Sequence, residues 1–171
     1  MKKAIKYYIA YGSNLHVGQM HARCPGARPV GTAWLDGWRL AFHGSKTGAY
    51  LTIIPDKHAR CPVAIWAINA DHEAALDRYE GFPTFYQKEA IHLEMKPLRS
   101  AKNQKPREVD AMVYIMDPQR VPGYPSAAYI RTCATGYHNF GLPIEYLAAA
   151  VDDAWAATHY DYAEEEGVKA G

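Results

Sequence analysis

The sequence predicts an α+β fold, a mixed curled sheet or small β-barrel flanked by helices, and three observations carry that reading. Seven short segments, residues 6–11, 30–35, 38–43, 50–54, 62–68, 86–95 and 109–116, are rich in β-branched and aromatic side chains and are mostly bounded by Gly, Pro or Asp. Four others, 15–23, 71–79, 126–137 and 143–158, space their apolar residues as helices do. The two kinds of segment do not alternate regularly, which disfavours a doubly wound parallel sheet.

The first strand ends in Tyr11-Gly12-Ser13-Asn14-Leu15, where a β-branched and aromatic run gives way to small and polar residues before a helical stretch. Such a strand-to-helix turn leaves backbone N–H groups without partners, and these can hold a carboxylate or phosphate. Gly12 would let a ligand approach the backbone closely. The same residues also fit a plain turn in which Ser13 or Asn14 only caps a helix.

Segment 71–79 reads as a short helix capped by Asp71, with Leu76 and Tyr79 facing inward and Gly81 and Pro83 ending it. Glu80, four residues after Leu76, falls on or beside the buried stripe. Burial, the helix C-terminus and nearby Asp77 would each raise its pKa. It can equally be an exposed last-turn glutamate whose charge Arg78 offsets. The final helical segment opens at Pro143, a residue suited to a first helical position. Trp34, Trp38, Trp66 and Trp155 carry no motif and are expected in the core or at its edge.

Composition narrows the function classes. The 171 residues can form one domain, expected over residues 1–160, with a frayed acidic tail at 161–171. Hydrophobic residues make up 49% and charged residues 22%, and no stretch approaches the roughly 20 apolar residues of a membrane helix. Met1-Lys2-Lys3 is followed within a few residues by Tyr7 and Tyr8, with no apolar signal core, so a cytoplasmic location is expected. A formal charge of +1, from 19 basic and 18 acidic residues, provides no field for nucleic acid or an anionic membrane, which leaves a small molecule as the expected partner. The basic run 96–107 reads as a solvated hairpin tip, long enough to be mobile.

Cys24, Cys61 and Cys133 are odd in number and widely spaced, which argues against disulfides and structural zinc and for buried free thiols. The eight histidines show no His-Glu-x-x-His or similar spacing, so no metal is expected. Ser13 lacks the Gly-x-Ser-x-Gly elbow of serine hydrolases, and Gly12-Ser13-Asn14 is not followed by the Lys-Ser or Lys-Thr of a phosphate-binding loop.

Tyr11-Gly12-Ser13-Asn14-Leu15, Gln19-Met20, Arg23-Cys24-Pro25, Tyr79-Glu80-Gly81 and Gly141-Leu142-Pro143 with Tyr146 together resemble, in order and approximate spacing, the gamma-glutamylcyclotransferase-like (AIG2-like) family. The resemblance implies a small mixed β-barrel flanked by helices and a cofactor-independent cyclisation. In that reaction the α-amine of a γ-glutamyl amine or amide attacks its own γ-carbonyl, releasing 5-oxoproline and a free amine. Glu80 matches the family's catalytic glutamate, and Tyr11, Gly12, Ser13, Asn14 and Leu15 its substrate-holding turn. Tyr86, Tyr114 and Tyr129 look like its pocket tyrosines, although a tyrosine on an inward strand position is also an ordinary core residue. The alternative is a non-catalytic domain that keeps the pocket and binds a small molecule or a protein.

Overall fold

The computed structural model describes the backbone of residues 2–45 and 48–168 and the side chains of residues 2–44 and 48–159. Six strands, β1 (Lys6–Ala10), β2 (Arg28–Ser45), β3 (Gly48–Ile68), β4 (Tyr86–Pro97), β5 (Arg107–Met116) and β6 (Val121–Pro122), form one sheet in the order β3-β1-β5-β4-β2-β6. A further β2–β3 pairing closes the first five into a barrel. β1 runs parallel to β5 and every other pairing is antiparallel, so the sheet is mixed as expected.

Four of the seven expected strands merge into two. The Asp36-Gly37 pair that reads as a turn lies inside β2: Asp36 pairs with Arg60 and Trp38 with Pro55, so Gly37, at φ 85°, stands opposite residues 56–59, the longer side of a bulge in β3. A bulge inserts an unpaired residue and bends a strand without ending it. Segments 50–54 and 62–68 join likewise within β3. From Cys61 to Ile68 every residue of β3 is buried, the continuous run expected of a strand covered on both faces. Ile9, Leu51, Ile53, Ile65 and Val113 lie in the core, which β6 edges as a two-residue strand too short to leave a pattern in the sequence.

The helical stretch after β1 is two elements. One turn of 3₁₀ helix, Ser13–Leu15, is separated by His16 from α1 (Val17–Arg23), whose start His16 caps by accepting the Gln19 N–H at 3.1 Å. The small turn therefore opens onto a single 3₁₀ turn and not onto a long helix dipole. α2 (Ala70–Glu80) is capped by Asn69 and not by Asp71. The Asn69 side chain accepts the His72 N–H at 3.0 Å, His72 Nδ1 accepts the Asn69 N–H at 3.1 Å, and His72 Nε2 donates to the Pro25 carbonyl at 2.7 Å. The reciprocal pair is a capping box, and its third bond ties α2 to the loop after α1.

α3 (Ala127–Phe140) ends in a Schellman motif at Gly141, and α4 (Glu145–Val168) lies along β2. α4 starts two residues after Pro143 and continues ten residues beyond the expected end at 158. Residues 169–171 of the expected tail lie outside the described residues. Segment 96–107 is anchored by Leu98 N–H to Val30 C=O at 3.3 Å and by Arg107 to Tyr7 Oη at 2.7 Å, while residues 102–107 are exposed. Trp66 is buried, whereas Trp34 and Trp155 are exposed. The three cysteines are buried and free. No helix among the described residues is long and apolar enough to cross a membrane.

A close approach of α3 fixes the turn after β1. A Cβ on Gly136 of α3 would stand 2.4 Å from Leu15 Cβ, 2.6 Å from the Leu15 carbonyl carbon and 2.7 Å from the His16 nitrogen. Gly136→Ala should therefore lose about 2–3 kcal/mol, because the clash is with backbone that cannot rotate away. Urea unfolding of the variant measures this, and a loss below about 0.5 kcal/mol would mean that α3 does not hold the turn.

Candidate active site

A cavity of about 350 Å³ opens where the end of β1, the 3₁₀ turn, the C-terminus of α2 and the start of α3 converge. It is lined by eight of the nine residues singled out in the sequence: Tyr11, Gly12, Ser13, Asn14, Glu80, Tyr86, Tyr114 and Tyr129. Leu15 is the exception. Its side chain is wholly buried against Gly136, and its N–H donates to the Gly12 carbonyl at 3.0 Å. Leu15 anchors the turn from beneath, so the backbone donors left for a ligand narrow to Gly12, Ser13 and Asn14, whose N–H groups meet no acceptor among the described residues.

Space at Gly12 is tight. A Cβ there would lie 3.2 Å from Tyr129 Oη, which would have to give by a few tenths of an ångström, and 3.4 Å from Leu51 Cβ, an ordinary contact. Asn14 is oriented by Arg23, which donates to Asn14 Oδ1 and, at 3.4 Å, to Ser13 Oγ. A guanidinium has only donors, so the Asn14 oxygen must face it and the Nδ2 group must point the other way. Nδ2 donates to Tyr8 Oη at 2.9 Å and to Glu80 Oε1 at 3.3 Å.

Glu80 is the last residue of α2, half-buried in the cavity wall. Gly81, at φ 64°, lets the chain turn away at once, and the Phe82 N–H returns to the Asp77 carbonyl at 3.0 Å. Burial pushes the Glu80 carboxyl up to about 7, and the Arg23 guanidinium opposes this only partly. Arg23 makes no ion pair with Glu80 among the described residues; it reaches the carboxylate only through Asn14. The expected like-charge neighbour, Asp77, is paired with Lys88 at 2.8 Å.

The tyrosines line the walls and tie the barrel together. Tyr11 Oη donates to the Tyr114 carbonyl at 2.6 Å, Tyr86 Oη to the Leu51 carbonyl at 2.9 Å, and the Leu51 N–H to Tyr129 Oη at 3.2 Å. Burial raises the phenol pKa of Tyr8, Tyr11, Tyr86, Tyr114 and Tyr129, and the Glu80 charge adds to the rise in each. All five are neutral donors or acceptors at neutral pH.

Tyr79 corrects an expectation: it is exposed, and Arg23 stacks on its ring at 3.4 Å. The sequence reading did not single out Tyr8 or Arg23 as site residues. Tyr8 precedes the turn by four residues in an aromatic strand and has no feature that separates it from Tyr7. Arg23 lies within a quoted motif, but its importance comes from donor chemistry visible only when Asn14 is beside it. Among the described residues no three His, Cys, Asp or Glu side chains converge as metal ligands.

A family profile described as gamma-glutamyl cyclotransferase, AIG2-like, matches residues 8–131. The gamma-glutamylcyclotransferases of Bos taurus and Homo sapiens are each 29% identical over 147 residues, covering 81% of this chain and 73% of their own length. A solved gamma-glutamyl cyclotransferase structure superposes with a TM-score of 0.68 at 26% identity, covering 86% of each chain.

The raised Glu80 pKa makes stability depend on pH. Between the ordinary value of 4.5 and about 7 the native protein binds more protons than the unfolded chain, so stability falls as pH rises through that window. Glu80→Gln removes this term. Its stability relative to the unsubstituted protein should be near even at pH 4.5 and about 2–3 kcal/mol higher at pH 8. Denaturation curves at the two pH values measure the difference, and a pH-independent difference would contradict the raised pKa.

Proposed function

The chain belongs to the gamma-glutamyl cyclotransferase, AIG2-like family of enzymes, and on that premise we propose that it cyclises a γ-glutamyl amine or amide to 5-oxoproline and a free amine without a cofactor. The observation that carries the reading is Glu80: a carboxyl group in the wall of a cavity, raised to about 7 by burial and free of an ion pair among the described residues. A group of that pKa accepts and returns a proton near neutral pH, which is what general acid–base chemistry requires.

In the reaction, the α-ammonium of the substrate gives a proton to Glu80. The freed nitrogen lone pair attacks the γ-carbonyl carbon, forming the C–N bond of a five-membered ring while the carbonyl π electrons move onto oxygen. The unpartnered N–H groups of Gly12, Ser13 and Asn14 are suited to that oxyanion or to the α-carboxylate. When the carbonyl re-forms, the bond to the leaving nitrogen breaks and Glu80 returns its proton there. The second proton shed by the ring nitrogen balances the protonation of the released amine. The nucleophile belongs to the substrate, so Ser13 and the buried thiols have no covalent role.

Confinement supplies much of the rate. Ring closure needs one rotamer of the glutamyl chain, and holding it against tyrosine walls lowers the entropic part of the barrier. The departing amine would lie toward the more exposed wall, where Tyr50 and Arg78 stand.

The chelator-treated protein should release 5-oxoproline from one or more of a panel of γ-glutamyl amino acids and amines. Glu80→Gln should bind the same ligands while turnover falls at least about 100-fold. Because the ionised carboxylate is the base, kcat/KM should rise as pH passes through about 7. Undiminished turnover in Glu80→Gln would exclude Glu80 as the base. Ligand binding without turnover of any substrate by the unsubstituted protein would favour the binding-domain reading.

A further inference from the structure

Beneath the cavity, a row of charges that the proposed reaction does not use runs from Tyr114 outward. Tyr114 Oη donates to Asp77 Oδ1 at 2.5 Å. Lys88 Nζ stands 2.8 Å from Asp77 Oδ1 and 3.0 Å from Glu73 Oε1, and Lys6 Nζ stands 2.7 Å from Glu73 Oε2. A carboxylate clasped by an ammonium has no proton to give, so the hydroxyl hydrogen of this pair belongs to Tyr114 and points at Asp77. A phenol has one proton. With it committed to Asp77, the Tyr114 oxygen has only lone pairs left for a ligand.

Two neighbours are set the same way. Tyr11 and Tyr86 give their protons to the Tyr114 and Leu51 carbonyls, which can only accept. Asp77 and Glu80 are three residues apart on α2, so they share a face and stand one above the other. Glu80 and Tyr114 are also close enough for the carboxylate charge to act on the phenol.

We infer that Asp77 is a positioning residue that acts through Tyr114, turning the phenol proton out of the cavity so that this wall beside Glu80 receives the α-ammonium of a ligand and rejects an anion. The inference rests on the proposed γ-glutamyl substrate and adds which end of it meets which wall. The ammonium belongs with the acceptors Glu80, Tyr11, Tyr86 and Tyr114. The oxygens belong with the backbone donors of the turn. Lys88 serves by holding Asp77 in place, and its pKa is raised by Asp77 and Glu73 against the cost of its burial.

Asp77→Leu removes the acceptor that holds the phenol proton. Asparagine would not, because Lys88 Nζ lies 2.8 Å from Asp77 Oδ1 and 3.0 Å from Oδ2, so an amide oxygen in the Oδ1 position still accepts from both Tyr114 and Lys88. In Asp77→Leu the Tyr114 proton loses its partner and is free to turn into the cavity, toward the ammonium, while Lys88 keeps Glu73.

The test is calorimetric binding of γ-glutamylalanine and of glutarylalanine, which differs only in lacking the α-amine, to proteins carrying Glu80→Gln so that no turnover occurs. Adding Asp77→Leu should raise the Kd of γ-glutamylalanine about ten-fold and change that of glutarylalanine less than about two-fold. In a Tyr114→Phe background the same addition should change neither. Equal weakening of both ligands, the full loss persisting without the Tyr114 hydroxyl, or failure of the Glu80→Gln protein to bind γ-glutamylalanine would each overturn the inference. Should Asp77→Leu not fold, Lys88→Met reads the same link, with a smaller loss again confined to the amine-bearing ligand, and equal loss for both ligands overturns it. The reaction is read separately: absence of 5-oxoproline release by the unsubstituted protein, with amine discrimination intact, contradicts the proposed chemistry and supports the positioning role.

Discussion

The structure around the cavity depends on one constraint: a carboxylate must be buried without being neutralised by a direct cation. Burial moves Glu80 from 4.5 to about 7, which corresponds to about 3 kcal/mol against its charged form. A direct ion pair at 4 Å in a protein-like dielectric is worth about 4 kcal/mol and would erase that shift. Arg23 is held short of this. Its guanidinium is occupied by Asn14, Ser13 and the face of Tyr79, so it makes no ion pair with Glu80, and its charge offsets the effect of burial only in part. The next carboxylate on the helix, Asp77, is satisfied by Lys88 and Tyr114 and so does not compete for that cation.

The walls that bury Glu80 also hold the barrel closed at this end. Tyr11 bridges the end of β1 to β5, Tyr86 bridges β4 to β3, and Tyr129 brings α3 onto β3. Each spends a polar contact on the backbone and presents an apolar ring with one remaining polar capacity to the cavity. This makes the site rigid without dedicated scaffolding, because the residues that would contact a ligand are those that join the strands. The turn is fixed from the other side by Leu15 and the glycine of α3 against which it packs.

Much of this was legible in the sequence because it is local. A strand breaking into Gly12-Ser13-Asn14, and a glutamate placed one residue before a glycine C-cap and four after a buried leucine, are patterns a few residues long, and both line the cavity. The family resemblance joined them to Tyr86, Tyr114 and Tyr129, which line the same cavity. The parts that were missed depend on distant partners. Gly37 reads as a turn, and only the pairing of its neighbours Asp36 and Trp38 with β3 keeps the strand running through it. Asp71 is a sound cap on local grounds, but Asn69 wins because His72 completes the box and is itself held by Pro25. Tyr79 has the spacing of a core residue, yet Arg23 draws it to the surface. Leu15 belongs to the right motif, but its side chain and amide are consumed within the fold.

The central claim, that burial holds the Glu80 carboxyl near neutrality, is tested most directly by carbon-13 NMR titration of the side-chain carboxyl groups, with the Glu80 resonance identified by its loss in the glutamine variant. The account predicts a midpoint of about 7 for that resonance. A midpoint at or below the ordinary carboxylate value of 4.5 would contradict it, and would mean that Arg23 neutralises Glu80 in solution.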